Sequence, residues 1–158
     1  MSDPIAPDFS GPSRPDKVSI IAFSGDFDKV HYALVIASAA IAIDIPVTLF
    51  FTMAASRALL ATDDKGAPSW RTLPAGEIGQ SDMTGGDIDD AFKKSVVADF
   101  EGLLQSCVAL GVKFMICDMG LRAMGLEDAP LRPDIPIETG GVVTFLNDAS
   151  DKGATFFI

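Results

Sequence analysis

The chain has 158 residues, 48% of them hydrophobic, which is enough to bury the core of one compact domain. Its 22 Asp and Glu outnumber 12 Lys and Arg, so the net charge is −10 at pH 7. Because nucleic-acid backbones and anionic membrane surfaces attract Lys and Arg, this charge argues against both as partners. The composition is typical of a cytoplasmic protein, or of one whose partner is basic.

Residues 1–16 are predicted to form a disordered tail, because four prolines fall within the first 15 residues among Ser, Gly and Asp. No basic segment followed by an apolar one occurs there, so no signal peptide is predicted. Residues 17–158 are predicted to form a single domain.

The first half of that domain alternates short apolar runs with helical patterns. Residues 17–23 and 46–52 are rich in Val, Ile, Leu and Phe and predict buried strands. Helical patterns follow at 27–43 and 53–61. The apolar stretch 32–43 is shorter than the roughly 20 residues that span a bilayer, so it predicts a buried or interface helix and no membrane span.

Residues 62–87 interrupt this alternation with a segment rich in Gly, Pro, Asp and Ser that contains Trp70. A loop of this length in a compact domain is often a functional lid or an oligomer arm. A disordered insertion is the alternative, and the sequence leaves both open.

The second half resumes the alternation. Apolar residues at three- and four-residue steps predict one helix over 88–110, with Gly111 as its cap. Strands are predicted at 112–116, 134–138 and 154–158, and helices at 121–125 and 141–151. Strands alternating with helices predict an α/β fold: a three-layer α/β/α sandwich with a mostly parallel sheet of about five strands, a flavodoxin-like architecture.

Candidate site residues follow the strands, where ligands gather in open parallel sheets. The sequence places near this edge Ser24, Gly25, Asp26, Thr52, Cys117, Met119, Arg122, Met124, Gly140 and Gly141.

Cys117 has two open interpretations. A helix starting near Met119 would direct backbone N–H groups at the sulfur and favour a reactive thiolate. The adjacent Asp118 would oppose it, and Arg122 would offset Asp118 if its guanidinium turned back toward the sulfur. Alternatively, Cys117 is an inert packed residue at a strand end.

The sequence context of Cys107 and His31 favours ordinary packing for both side chains. Cys107 and Cys117 are ten residues apart with no nearby Cys or His, a spacing that matches no metal or disulfide framework. Cys107 lies on an apolar helical face, and His31, the single histidine, lies on an apolar helix. No nucleotide-binding motif occurs either. Together with the cysteine spacing, this means that the sequence predicts neither a metal site nor a cofactor.

Several segments, in order, resemble the DsrE/DsrF-like family. The opening of this family is similar to SGDFDKVHYALVIASAAIAIDIPVTLFFT. Its G-V-K-x-x-x-C segment is similar to ALGVKFMICDMGLRAMGL, and its ending is similar to IETGGVVTFLNDASDKGATFFI. The resemblance implies a DsrE-like domain that assembles into homo-oligomers, often trimers or hexamers. In sulfur-trafficking members, the cysteine aligned with Cys117 carries sulfane sulfur as a persulfide and passes it to a carrier protein.

Two hypotheses follow. The first is an intracellular sulfur-relay protein that carries a persulfide on Cys117 between a sulfane donor and a partner thiol. Such a protein would act as a sulfurtransferase. The second is a non-catalytic oligomeric module of the same fold that binds a small ligand or partner. A peroxide-reducing enzyme has less support, since neither cysteine lies in a Pro-x-x-x-Thr-x-x-Cys pattern.

Overall fold

A computed structural model describes residues 13–158. Residues 1–12 of the predicted tail lie outside the described residues. The rest of that segment contacts the domain: a guanidinium nitrogen of Arg14 donates to the Ile43 carbonyl, and the Asp16 N–H donates to the Lys152 carbonyl at 3.4 Å.

Five parallel strands form one sheet, in the order β4-β3-β2-β1-β5. Their bounds are β1 Val18–Ala22, β2 Val47–Phe51, β3 Lys113–Cys117, β4 Ile137–Gly140 and β5 Ala154–Phe157. The fourth strand starts three residues later than the sequence pattern indicated, and the other four agree within one residue at each end. The parallel sheet is therefore confirmed.

Five α-helices connect the strands. They are α1 Phe27–Ala42, α2 Gly85–Lys94, α3 Phe100–Ala109, α4 Asp118–Ala123 and α5 Val142–Asp148. Two 3-10 helices, Met53–Leu59 and Ser69–Thr72, lie between β2 and α2. Among residues 13–158, no helix combines the length and apolar character needed to cross a bilayer.

The first face of the sheet carries the larger core. Side chains alternate between faces along a strand, so Ile20, Leu49 and Phe114 point to this face in register. They pack beneath α1 and α3, which supply fully buried Leu34 and Leu104. This is one helical layer of the sandwich.

The second face carries a smaller core under α5 alone. Phe145 of α5 stacks on Phe50 of β2 with ring centroids 5.0 Å apart, beside Met115 and Cys117 of β3. Helices thus cover both faces, and the three-layer α/β/α architecture is confirmed.

A charged cluster fixes the far end of α5. The Asp148 carboxylate accepts hydrogen bonds from Lys17 (2.6 Å), Thr48 (2.6 Å) and Lys113 (2.9 Å), and these four residues are called the Asp148 cluster below. Burial raises the pKa of Asp148, but the three donors lower it more strongly, to about 2. The carboxylate therefore remains charged and ties α5 to the sheet.

The helix predicted over 88–110 is two helices, so that prediction was wrong. The chain turns after α2, with Val96 in the left-handed region at φ 57°. The carboxylate of Asp99 caps α3 by accepting from the Gly102 N–H at 2.9 Å, and buried Asp89 accepts from the Phe100 N–H at 2.7 Å. These carboxylates stabilise a break that apolar periodicity did not reveal.

Trp70 anchors the 62–87 segment. Its side chain is buried and stacks on Phe100 with centroids 4.5 Å apart. Its Nε1–H donates to Glu101 of α3 at 2.8 Å. The segment also contains the start of α2, where Thr84 and Asp87 form a capping box.

Candidate functional site

The carboxyl ends of neighbouring strands bring several predicted site residues to one edge of the sheet. Cys117 ends β3 and lies opposite Gly140, which ends β4. Thr52 directly follows β2, the strand on the other side of β3. Because the strands are parallel, these residues share the edge at which such folds place their ligands.

The sulfur of Cys117 lies under the second helical layer. The residue is completely buried and belongs to the small cluster with Phe50, Met115 and Phe145. It is also the N-cap residue of α4, and its Sγ accepts a hydrogen bond from the Gly120 N–H at 3.4 Å. An N–H group at a helix start stabilises negative charge on a thiolate. The contact places one backbone N–H group at the sulfur, and the surrounding side chains exclude solvent from it.

The two charged neighbours of Cys117 face away from its core cluster. Asp118 is exposed, and its Oδ1 lies 4.0 Å from the position that a Cβ on Gly141 would occupy. Arg122 is exposed, and its Nε lies 3.6 Å from Glu127 Oε1. Among the described residues, the guanidinium of Arg122 therefore pairs with Glu127 and forms no ion pair with Asp118.

Gly120 joins the start of α4 to the end of β2. A Cβ at this glycine would lie 2.6 Å from Thr52 Oγ1 and 2.7 Å from the Met53 backbone nitrogen. Met53 itself adopts φ 51°, a left-handed conformation that costs energy for a non-glycine residue. This close approach leaves no room for a Cβ beside Thr52, and the Gly120 N–H donates to the Cys117 sulfur on the other side.

The segment after β1 packs against a different part of the edge. A Cβ at Gly25 would lie 2.7 Å from the Cβ of Ala54, in the 3-10 helix that follows β2. Ser24 Oγ accepts from the Asp26 N–H at 3.2 Å. Asp26 is the N-cap residue of α1 but makes no capping bond through its side chain. Among residues 13–158, this turn borders the edge but forms no hydrogen bond with the Cys117 sulfur.

The two methionines predicted near the site, Met119 and Met124, do not belong to the core cluster of the Cys117 sulfur. Met119 is 62% exposed and Met124 is half-buried at the end of α4. Gly140 does lie close, since a Cβ there would be 3.2 Å from Met115 Cε. The side chains that share the sulfur's cluster are instead those of Phe50, Met115 and Phe145. Alternation along β3 could have identified Met115, two residues before Cys117; Phe50 and Phe145 come from other elements.

Neither His31 nor Cys107 reaches this site. Both lie beneath or within the helices of the first face, whereas the Cys117 side chain points to the second. His31 Nε2 donates to the Ala98 carbonyl at 2.7 Å. Cys107 is fully buried, and burial raises the pKa of its thiol to about 11. No cysteine–histidine pair forms, and Cys107 packs as expected.

Comparison with known proteins places the chain in a family. The sequence profile described as the DsrE/DsrF/DrsH-like family matches residues 14–157. The chain belongs to this family. The resemblance seen in the sequence is therefore confirmed.

One relative and one solved structure are similar to this DsrE/DsrF/DrsH-like protein. The uncharacterized protein YrkE of Bacillus subtilis (strain 168) is 31% identical over 156 residues, which cover 90% of this chain and 96% of YrkE. The crystal structure of the ychN protein from E. coli aligns with a TM-score of 0.50 and 18% identity, over 89% of this chain and 98% of that one. At that identity the ychN structure supports the fold alone.

Proposed function

We propose that this DsrE/DsrF/DrsH-like protein is a sulfur relay that carries sulfane sulfur on Cys117. In the first step, the Cys117 thiolate attacks the outer sulfur of a donor persulfide, and the donor's S–S bond breaks to release a thiolate. A partner thiolate then attacks the outer sulfur of the Cys117 persulfide and releases Cys117 as a thiolate. The transfer requires no net oxidant, because each step exchanges one S–S bond for another.

The observation that carries this proposal is the position of Cys117. It is the cysteine at the carboxyl edge of the sheet, and its Sγ accepts a hydrogen bond from the Gly120 N–H at the start of α4. The same N–H can hold the thiolate that each transfer step regenerates. Family membership supports the relay, since the matching segments include the one that contains Cys117.

The burial of the sulfur makes local opening a necessary step. Phe145 of α5 is the second-layer side chain in the cluster of Cys117. This helix has seven residues and begins after Gly140 and Gly141, while its other end is fixed by the Asp148 cluster. We propose that the glycine-flanked start of α5 moves outward to admit the donor, because short elements with little buried surface open at low free-energy cost.

Loading can be measured by intact-protein mass spectrometry after incubation with inorganic polysulfide. We expect one added sulfur atom in the wild-type protein and in Cys107→Ser, and none in Cys117→Ser. Cys107→Ser is the matched control, because it removes a thiol from the opposite face of the sheet. Equal loading of Cys117→Ser would contradict the proposal.

Complete burial of Cys117 favours a second candidate, a non-catalytic binding module in which this cysteine only packs. A thiol reagent applied under native conditions separates the two. The relay predicts that Cys117 reacts much faster than Cys107, whereas the binding module predicts equally slow reaction of both.

We also propose that the chain forms a homo-oligomer, a trimer or hexamer, through the part of the second face beside α5, where Phe23 and Phe157 are exposed. The Phe23 and Phe157 rings lie 5.3 Å apart at the edge that α5 leaves uncovered. Sedimentation equilibrium of the wild type and of Phe157→Lys tests this, and a wild-type monomer would contradict it.

Both cysteines are free thiols, which suits a relay that needs a reducing compartment. We propose that the relay works in the cytoplasm.

A further inference from the structure

A cavity lies across the sheet from Cys117, on the outer side of α1. It has a volume of about 410 Å³ and opens between α1, the end of α2 with the turn that follows it, and Ile78 of the 62–87 segment. Its apolar and aromatic lining is contributed by His31, Tyr32, Val35, Ile78, Phe92 and Val97. This set is called the α1 pocket below.

The floor of the α1 pocket is fixed by a buried histidine. His31 is only 5% exposed, and its Nε2–H donates to the carbonyl of Ala98, which also lines the pocket. Its ring centroid lies 4.9 Å from that of Phe92. Because Nε2 carries a proton in this bond, the hydrogen bond and the contact with the Phe92 ring hold the His31 side chain at the floor of the pocket.

Asp28 adds one negative charge to the pocket lining. Its Oδ1 accepts from the Lys29 N–H at 2.8 Å and its Oδ2 from the Glu77 N–H at 2.9 Å. A Cβ at Gly76 would lie 2.0 Å from Asp28 Oδ1, so this turn encloses the carboxylate closely. Among the described residues, Asp28 forms no ion pair, while the Lys29 ammonium lies within 4 Å of Asp26 and Glu77.

From this arrangement we propose that the α1 pocket binds a small molecule with an apolar, ring-containing body and one protonated amine. The volume of 410 Å³ lies in the range of small-molecule sites, and the lining is almost entirely apolar. The Asp28 carboxylate complements an ammonium group, and the face of Tyr32 or Phe92 attracts a cation. A ligand carboxylate would face Asp28 and a chain of net charge −10. This inference is independent of the sulfur relay, because the two sites lie on opposite faces of the sheet.

The experiment compares three probes that share a phenyl ring and a short tether: phenethylamine, 2-phenylethanol and 3-phenylpropionate. Isothermal titration calorimetry on the full chain measures their dissociation constants. We expect saturable one-to-one binding, with the amine about fivefold tighter than the alcohol and the carboxylate weakest. Asp28→Asn is expected to abolish the preference for the amine and keep the alcohol, since the Asn side-chain oxygen can still accept from the Glu77 N–H.

Two further variants distinguish binding in the α1 pocket from binding elsewhere on the protein. Val35→Phe places a ring inside the α1 pocket and is expected to abolish binding of all three probes. Ile43→Phe adds the same ring at the exposed end of α1, outside the pocket, and is expected to bind like the wild type. The proposal is overturned if no probe saturates, if Val35→Phe binds normally, or if the amine and carboxylate bind equally. It is also overturned if sedimentation shows an oligomer for the wild type and dissociated chains for Val35→Phe, because a second copy of the chain then covers the pocket.

Discussion

Phe145→Ala should expose the sulfur of Cys117 without exposing that of Cys107. Phe145 is 1% exposed and stacks on Phe50 at 5.0 Å in the cluster that contains the sulfur. Truncating a buried Phe costs about 3 kcal/mol when the surroundings can partly relax, as they can beneath a single short helix. If loss of this ring destabilises only the closed position of α5, the open population rises by about 100-fold.

The assay follows the reaction of one cysteine at a time with an aromatic disulfide reagent under native conditions. In a Cys107→Ser background, Phe145→Ala is expected to accelerate labelling of Cys117 by about 100-fold. In a Cys117→Ser background, the same substitution is expected to change labelling of Cys107 by much less. Leu146→Ala is the matched control, since this neighbour on α5 is 62% exposed and its loss should leave the Cys117 rate nearly unchanged.

Equal acceleration of both cysteines would refute this reasoning. It would mean that the sulfur becomes accessible by global unfolding and that α5 does not open separately. An unchanged Cys117 rate in Phe145→Ala would refute it as well, because the ring would then not limit access.

Three further predictions concern stability and the α4 start. Asp148→Asn should lower the free energy of unfolding by about 2 kcal/mol near neutral pH. The pKa of Asp148 is about 2 in the folded protein and about 3.9 in the unfolded chain. The stability difference between the wild type and Asp148→Asn, measured by urea denaturation, should therefore shrink as the pH falls below about 4. A constant stability difference down to about pH 2 would contradict this prediction. Gly120→Ala should cost about 2 kcal/mol in urea denaturation, because its Cβ would meet Thr52 Oγ1 at 2.6 Å; unchanged stability would show that this approach is loose. The buried guanidinium of Arg132 pairs with Glu101 and Asp134. Arg132→Met should therefore lower stability by about 2 kcal/mol in thermal unfolding, and a neutral result would show that solvent replaces the guanidinium.

Most of the architecture could be predicted from hydrophobic patterning. Strands covered on both faces appear as near-continuous apolar runs, and the runs ending at Phe51 and Cys117 stood out for that reason. The break after α2 could not be predicted from periodicity, because Phe92 and Phe100 keep helical spacing although a turn separates their helices. Two carboxylates and a left-handed Val96 produce that turn, and neither glycine nor proline marks it.

The sequence predicted which edge of the sheet holds the candidate site residues. It predicted less well which side chains these residues contact. Strand ends placed Cys117, Thr52 and Gly140 correctly along one edge, because parallel strands align their carboxyl ends. The direction of a side chain and the partner of a long ion-pairing residue depend on tertiary packing. That is why the pairing of Arg122 with Glu127 was not foreseen. The same holds for the cover that Phe145 gives the sulfur.

The most direct test of the sulfur relay is loading and discharge mapped to a single cysteine. The protein is incubated with polysulfide, desalted, and chased with a small thiol; samples before and after the chase are alkylated, digested and analysed by tandem mass spectrometry. The relay predicts an added sulfur atom on the peptide containing Cys117 before the chase, its loss afterwards, and an unmodified peptide containing Cys107 throughout. A Cys117 peptide that never gains sulfur, or that gains it and cannot release it to a thiol, would contradict the relay.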